Sequence, residues 1–182
     1  ALESASEEGH LNIVNALMNV GANVNKFTDH GETPLLVACQ NNNLDVVNEL
    51  LKNPNININK KNFNGETPLS IAVRTKNKEI QQALVDYKLY LLCLHGYFKV
   101  YDPLQELIKA GVIKAGDNPV QVLLNAGANV NKVYSDGTTP LFVACQNGHE
   151  DVALDLLNDD YYQVVDVNKP NNSGKTPLYI AC

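Results

Sequence analysis

The chain contains 182 residues, of which 45% are hydrophobic and 19% are charged, and its formal net charge is −6. This length and apolar content allow one domain with a continuous core. Because basic residues are not in excess, the composition argues against nucleic acid and anionic membrane surfaces as partners. The most apolar stretch, residues 84–100, is interrupted by polar and charged side chains, so we expect no membrane-spanning segment.

A short motif recurs along the chain and indicates internal repeats. Gly-x-Thr-Pro-Leu begins at Gly31, Gly65, Gly137 and Gly174, so successive copies are 34, 72 and 37 residues apart. The widest gap is two periods of 36, and Asp-Pro-Leu at residues 102–104 is a degenerate copy near its middle. A second motif, Val-Asn-Lys or Ile-Asn-Lys, follows the same spacing. The sequence therefore predicts an array of similar units.

Each unit is predicted to begin with a short helix. In the first complete unit, Thr33 can cap the helix and Pro34 can occupy its first position, where the missing N–H of proline has no cost. We expect this helix to cover about residues 34–40. A loop follows that contains Gly148 in one copy and Asn42 in another, and both residue types tolerate a left-handed backbone.

Each unit is predicted to continue with a second, amphipathic helix. Adjacent apolar pairs recur one turn apart, and this spacing forms a single apolar stripe on a helix. Gly21 and Gly127 follow two of these helices, where glycine commonly ends a helix, and a polar, hairpin-like segment leads to the next Thr-Pro. The apolar pairs are Ile13, Val14, Leu17 and Met18; Val46, Val47, Leu50 and Leu51; and Val152, Ala153, Leu156 and Leu157.

Taken together, these motifs resemble the ankyrin repeat. The resemblance rests on Gly-x-Thr-Pro-Leu, on Gly-His at residues 9–10 and 148–149, and on Gly-Ala-Asn-Val-Asn at residues 21–25 and 127–131. It covers nearly the whole chain, with several motifs in register. It implies an all-α fold: an ankyrin-repeat solenoid of helix-turn-helix units with β-hairpin-like finger loops and, in this chain, an irregular middle repeat.

We expect residues 1–182 to form a single ankyrin-repeat array. Neither end has the polar cap that usually closes a solenoid, so we interpret the chain as a fragment of a longer array. The expected units are a partial repeat (1–26), repeats at 27–60 and 61–87, a degenerate repeat region (88–132), a repeat at 133–169 and a partial repeat (170–182).

The segment 86–119 departs most from the repeat pattern and allows two interpretations. In the first, a long second helix is followed by a repeat with an enlarged loop at residues 112–119. In the second, residues 88–96 and 103–110 form a helix pair of their own. We favour the second interpretation for residues 88–110, because their leucines give two amphipathic faces.

The ankyrin family usually has histidine after Thr-Pro-Leu, and this chain has none at that position. Leu36, Ser70, Phe142 and Tyr179 occupy it instead. The resemblance then implies that the hydrogen bonds which this histidine makes between repeats are absent. We expect a looser array that depends more on apolar packing.

The cysteines and histidines of the chain are predicted to be structural. Cys39, Cys145 and Cys182 share one repeat position, a small buried site, and Cys93 is also expected to be buried. The cysteine spacing matches no zinc motif. No pair suggests a disulfide, which fits a reducing, cytoplasmic location. The histidines of the two Gly-His motifs are expected to bond local backbone.

The sequence contains no recognisable catalytic set of nucleophile, base and orienting group, and it contains no phosphate-binding loop motif. We therefore predict no enzymatic activity, no cofactor and no metal. The leading hypothesis is a non-catalytic protein–protein interaction module that uses its concave face and finger tips. One alternative is a structural spacer within a larger cytoskeletal, membrane-channel or effector assembly. Another is the targeting array of an enzyme whose catalytic domain lies outside this chain.

The resemblance implies that a partner protein contacts the finger tips and the exposed side of each first helix. Phe63 is the strongest candidate, because folding gives little reason to place an exposed aromatic residue at a finger tip. The alternative is that Phe63 packs on the neighbouring finger. Tyr134 is a weaker candidate of the same kind. The predicted contact residues are Asp29, His30, Glu32, Gln40, Asn41, Phe63, Asn64, Glu66, Arg74, Thr75, Tyr134, Ser135, Asp136, Thr138, Gln146 and Asn147.

Overall fold

The computed structural model of the protein describes residues 1–96, 118–158 and 163–182. These residues form helices and loops and contain no β-strand. They divide into two compact units, residues 1–84 and residues 85–182, which we call unit 1 and unit 2. The all-helical prediction is confirmed for the described part of the chain, whereas the exact division into repeats stays a prediction.

The described residues form ten helices, and the boundary between the units falls within the sixth. Only this sixth helix among them is longer than nine residues. In chain order the helices are α1 (Leu2–Glu7), α2 (Leu11–Asn19), α3 (Pro34–Gln40), α4 (Leu44–Leu50), α5 (Pro68–Arg74), α6 (Lys78–His95), α7 (Pro119–Asn125), α8 (Pro140–Gln146), α9 (Glu150–Leu156) and α10 (Pro177–Ala181).

The Thr-Pro motif starts a helix in every described copy, as predicted. The Thr33 hydroxyl accepts the backbone N–H of Leu36 at 3.3 Å, and Pro34 occupies the first position of α3. Helices α5, α8 and α10 begin in the same way. Because such a cap contributes about 1 kcal/mol to helix stability, the motif determines where the first helix of each of these repeats begins.

Each loop between paired helices contains one residue with a left-handed backbone. Gly9, Asn42, Lys76 and Gly148 have φ values of 72°, 59°, 57° and 70°. Glycine and asparagine are the residue types that the sequence predicts here. Lys76 is unexpected, because this conformation costs a side chain with a Cβ about 1–2 kcal/mol. The loops therefore share one geometry although their residues differ.

In unit 1, α3 lies between α1 and α5, while α2 packs against α1 and α4. Helix α3 is buried along nearly its whole length, because it has a helical neighbour on each side. The main core residues of unit 1 are Leu2, Val14, Leu35, Leu36, Val46, Val47, Leu50, Leu69, Ile71 and Ile80.

In unit 2, α8 packs against α9 and α10, and α7 packs against α9. Of the apolar stripe predicted for α9, Val152 and Leu156 are buried, whereas Leu157 is 41% exposed. The main core residues of unit 2 are Leu89, Leu92, Val120, Leu123, Leu141, Phe142, Val152 and Leu156. Among the described helices of the chain, none has the length and apolar character needed to cross a membrane.

Helix α6 shows the structure of the first part of the irregular segment 86–119. It continues without interruption from Lys78 to His95, which agrees with the long helix of the first interpretation. Residues 103–110 and most of the predicted loop at residues 112–119 lie outside the described residues, and α7 begins at Pro119.

The end of α6 takes the place of a first helix, as the second interpretation expects, but the separate helix start at residue 88 is wrong, because α6 is continuous there. In unit 2, His149 donates from Nε2 to the Leu94 carbonyl at 3.2 Å, and its ring lies over Gly96. In unit 1, Asn43 donates to a carbonyl at the end of α1 at 2.7 Å and lies over Gly9. The end of α6 thus corresponds to the end of α1, so α6 joins a second helix to a first helix without an intervening finger.

Asparagine side chains link successive fingers within each unit. Asn25 donates to the Asn55 carbonyl at 2.6 Å and accepts the Asn57 N–H at 2.8 Å. Asn131 makes both bonds with the backbone of the following finger. We expected the repeats to be held together mainly by apolar packing, but these hydrogen bonds also connect them.

The prediction that His149 bonds local backbone is wrong in one respect. His149 does bond a backbone carbonyl, but that carbonyl lies 55 residues away in the chain.

Replacing Asn25 with alanine should lower the free energy of unfolding by about 1–2 kcal/mol, because two hydrogen bonds are lost. Urea denaturation of the variant and the wild type measures this difference. Asn19→Ala is the control, because Asn19 is exposed and has no side-chain hydrogen bond within the described residues. Its effect should stay within about 0.5 kcal/mol. Equal losses in the two variants would contradict the role of Asn25.

The prediction that the cysteines are buried is confirmed for only some of them. Cys39 and Cys93 are buried, and burial raises the pKa of the Cys39 thiol to about 12. Cys145 is half-buried and Cys182 is exposed, and all four are free thiols. The buried site predicted for Cys182 is wrong, because α3 has helices on both sides whereas Cys182 follows the last turn of α10, which packs on the side of α8.

Candidate functional site

All four described Thr-Pro fingers end in the same tight turn. In the first finger, the Gly31 N–H donates to the Thr28 carbonyl and the Thr28 N–H donates to the Glu32 carbonyl, both at 2.9 Å. The other three fingers make both of these bonds. In every tip, the two residues enclosed by the bonds are exposed, and in the first three tips they are predicted contact residues.

Unit 1 carries ten of the predicted contact residues, on two finger tips and at the ends of α3 and α5. We call residues 28–32 and 62–66, together with Gln40 and Arg74, the unit 1 tip surface. Among the ten predicted residues, the exposed ones are Asp29, His30, Asn41, Phe63, Asn64 and Arg74, and the half-buried ones are Glu32, Gln40, Glu66 and Thr75.

Phe63 is exposed and is also in contact with the neighbouring finger. Its side chain is 79% exposed. One side of the ring lies against Gly31, because a Cβ atom at Gly31 would be 2.5 Å from the ring. In unit 2, Asn172 covers Gly137 in the same way. Phe63 therefore packs on the neighbouring finger, as one interpretation expects, and yet keeps most of its surface open to solvent.

A series of polar contacts crosses the unit 1 tip surface. Glu32 Oε1 accepts hydrogen bonds from Gln40 Nε2 at 3.1 Å and from Asn62 Nδ2 at 3.2 Å. Asn62 also donates to Glu66 Oε2 at 3.2 Å, and Glu66 Oε1 accepts the Nε–H of Arg74 at 2.7 Å. Asn62 is absent from the sequence prediction, although asparagine recurs at this position in the last finger. These bonds hold the side chains between the two fingers in one arrangement.

Unit 2 carries the other six predicted residues and presents fewer of them. Thr138 is only 3% exposed, and its hydroxyl donates to Asp136 Oδ1 at 2.7 Å within the turn. The expectation that Thr138 lies at the surface is therefore wrong, because the turn encloses it. The exposed members are Ser135, Asp136, Gln146 and Asn147, and Tyr134 is half-buried.

Tyr134 connects its finger to α6. Its ring centroid is 4.5 Å from that of Tyr90, and its hydroxyl donates to the Asp86 carbonyl at 3.2 Å. The Asp86 carboxylate accepts the Asn129 N–H at 2.8 Å and lies 3.5 Å from Lys132 Nζ. Burial raises the pKa of Tyr134 well above its ordinary value, and nearby acidic groups add to this effect. Tyr134 thus offers a partner little of its surface.

The repeated helix starts, left-handed loops and finger turns agree with a family match. Residues 1–95 and 107–182 match the family model described as ankyrin repeats (3 copies). The chain belongs to the ankyrin repeat family. Ankyrin repeats are generally protein–protein interaction modules, and domains built from them are typically non-catalytic. A comparison with curated proteins found no match.

The ankyrin tips of unit 1 present an aromatic ring, amides and a guanidinium–carboxylate pair. These are groups that recognise protein surfaces, since aromatic residues and arginine are enriched at interfaces and amides supply hydrogen bonds around them. Within the described part of the chain, no group of three or more His, Cys, Asp or Glu side chains could hold a metal ion.

The pKa of Glu66 is perturbed by its position on the ankyrin finger. The hydrogen bond from Arg74 lowers the pKa of this carboxyl below its ordinary value of 4.5, and the bond from Asn62 is a smaller cause. Because the pKa is depressed in the folded state, the contacts stabilise the protein above the unfolded pKa. That contribution is lost as the pH falls through the lower, folded pKa. It is small, because Arg74 is exposed and Glu66 is only half-buried, so solvent screens the pair.

Glu66→Gln should therefore lower the melting temperature slightly at pH 7, and the difference from the wild type should disappear as the pH falls below about 4.5. Thermal unfolding followed by circular dichroism at a series of pH values measures this. Glu8→Gln is the control, because the exposed Glu8 carboxylate has no hydrogen bond or ion pair within the described residues. A difference for Glu66→Gln that stays constant down to about pH 3 would contradict the assigned ion pair.

Proposed function

We propose that this ankyrin array is a non-catalytic module that binds another protein through the unit 1 tip surface. Phe63 is the observation that carries the proposal. Its ring is largely exposed, and the turn that holds it rests on the neighbouring finger. A rigid, exposed aromatic side chain has a low entropy cost on binding and is a typical anchor of protein interfaces.

The polar contacts beside Phe63 support the same proposal. Glu32, Asn62, Glu66 and Arg74 bond one another across two fingers. Side chains that are already held in place lose little further freedom when a partner binds, so more of their interaction energy appears as affinity. They would form a polar rim around the aromatic ring, which is the usual arrangement of an interface.

Charge and cysteine chemistry support two further parts of the proposal. The net charge of −6 favours a protein over nucleic acid as the partner. The four free cysteines favour a reducing, cytoplasmic location.

Affinity capture with the wild type and two variants tests the proposal. Phe63→Ala should weaken capture of the partner about tenfold or more, as expected for an interface anchor. Val20→Ala is the control, because Val20 is 81% exposed and lies at the end of α2, outside the tip surface. It should capture the same partners as the wild type. If Phe63→Ala retains every partner while its circular dichroism spectrum is unchanged, the tip surface is not the binding site.

Two alternatives stay predictions from the sequence: a structural spacer within a larger assembly, and the targeting array of an enzyme.

A further inference from the structure

Two equivalent glutamates of the unit 1 tip surface differ in their charged partners. Glu32 and Glu66 each lie two residues before the proline of their repeat. Glu66 forms an ion pair with Arg74, whose Nε lies 2.7 Å from Oε1. The first repeat has Gln40 at the position of Arg74, and this uncharged amide donates to Glu32 at 3.1 Å. Within the described residues, Glu32 therefore has no cation to balance its charge.

One carboxylate oxygen of Glu32 also lacks a hydrogen bond. Oε1 accepts from Gln40 and Asn62, whereas Oε2 is shielded from solvent and has no hydrogen-bond partner within the described residues. A buried, unpaired acceptor is unfavourable, and a donor that reaches it removes the penalty. The Glu32 residue as a whole is still half-exposed and belongs to the unit 1 tip surface.

The Phe63 ring belongs to the same tip surface as this carboxylate. It packs on Gly31, the residue before Glu32, and leaves most of its own surface open. The face of an aromatic ring attracts a cation, and the same contact exists elsewhere in unit 1, where Lys60 Nζ lies 4.1 Å from the centre of the Phe27 ring. An open ring and an unbalanced carboxylate on one surface both favour a positively charged partner.

We infer that the unit 1 tip surface binds a basic segment of its partner protein. A lysine or arginine of that segment lies on the Phe63 ring and donates to Glu32, and an adjacent apolar side chain covers the rest of the ring. The partner's cation thereby does for Glu32 what Arg74 does for Glu66. The exposed carboxylate of Asp29 on the same tip adds to the attraction. This inference rests on the proposed function and specifies its partner class.

A pair of matched peptides tests the inference. The first is acetyl-Leu-Arg-Leu-amide, and in the second citrulline replaces arginine, so that a neutral group of nearly the same shape takes the place of the cation. Each is titrated into the ¹⁵N-labelled full chain, and the amide NMR signals of residues 28–32 and 62–66 are followed. The arginine peptide should shift these signals, and the citrulline peptide should bind about threefold or more weakly, as expected for the loss of an exposed cation–π contact and an ion pair. Added salt should weaken the arginine peptide more.

Gln40→Arg is the most informative variant, because it supplies from within the protein the cation that Glu66 already has. It should reduce binding of the arginine peptide to the level of the citrulline peptide. Val20→Arg adds the same charge outside the tip surface and should leave binding unchanged. Glu32→Gln removes the carboxylate and should weaken the arginine peptide about threefold. Unchanged binding in both Gln40→Arg and Glu32→Gln overturns the inference.

The peptide titrations have three outcomes that overturn the inference: equal affinity of the two peptides, shifts confined to other residues, or no saturable shift. If Phe63→Ala still abolishes partner capture in these cases, the proposed function stands and only the basic nature of the partner is wrong. If the arginine peptide binds as expected but Phe63→Ala retains every partner, the proposed function is wrong instead.

Discussion

Phe142→Ala should lower the free energy of unfolding by about 3–5 kcal/mol, which is the usual result of removing a buried phenylalanine ring. The Phe142 side chain is 1% exposed, and its helix α8 packs against α9 and α10. The loss combines the apolar area returned to water in the unfolded state with the cavity that the remaining core cannot fill. Urea denaturation followed by far-ultraviolet circular dichroism measures it.

Tyr179→Ala is the matched control for Phe142→Ala. Tyr179 occupies the same repeat position in α10, but its side chain is 64% exposed. Its replacement should change the free energy of unfolding by no more than about 0.5 kcal/mol. Similar losses in both variants would mean that Phe142 does not belong to a tightly packed core. Both residues occupy the position where the ankyrin family usually has histidine, and at this position Phe142 packs in the core.

Gly137→Ala should destabilise the protein by at least about 2 kcal/mol, because backbone strain and a steric clash act together. Gly137 has a φ of 79°, a region that a residue with a Cβ seldom adopts. An added Cβ would lie 2.5 Å from the backbone nitrogen of Asn172. That nitrogen donates to the Asp136 carbonyl at 3.1 Å, so it cannot move away without weakening the contact between fingers.

Gly65→Ala separates the strain from the clash. Gly65 has a φ of 76° in the equivalent turn, but an added Cβ would meet no atom within 4 Å. This variant should lose only the strain component of about 1–2 kcal/mol. The melting temperatures of the two variants give the difference. If Gly65→Ala is as damaging as Gly137→Ala, the close contact between Asn172 and the Gly137 turn has no energetic importance.

Features that depend on a few neighbouring residues could be predicted from the sequence. Thr33 and Pro34 act within one helical turn, so their spacing predicts the start of α3 directly. The left-handed residue in each loop follows from Gly or Asn for the same reason, and Lys76 could not be predicted because the repeat geometry overrides its local preference. The recurrence of these local signals carries the resemblance to the ankyrin repeat, and that resemblance predicted the fold.

Features that depend on contacts between repeats could not be predicted in this way. The burial of Thr138 and the connection of Tyr134 to Asp86 arise where elements distant in sequence meet. The difference between Glu32 and Glu66 also needed the structure, because it depends on which side chains reach each carboxylate. A repeat motif shows which positions are equivalent, but it does not show which of them are covered.

Helix α6 shows the same limit on a larger scale. Its final turns correspond to a first helix, as the contacts of His149 with Leu94 and Gly96 show. No Thr-Pro motif precedes these turns, and Lys88 occupies the place of the proline. Because the motif that normally marks the start of a first helix is absent, the spacing allowed two interpretations, each of which captures part of the structure.

Site-specific photo-crosslinking tests most directly whether the unit 1 tip surface contacts a partner protein. A photoreactive phenylalanine analogue is placed at Phe63 in one variant and at Val20 in another, since both positions are highly exposed. The proposed function predicts a defined crosslinked protein from position 63 and none from position 20. Crosslinks from position 20 alone, or equal products from both positions, would contradict it.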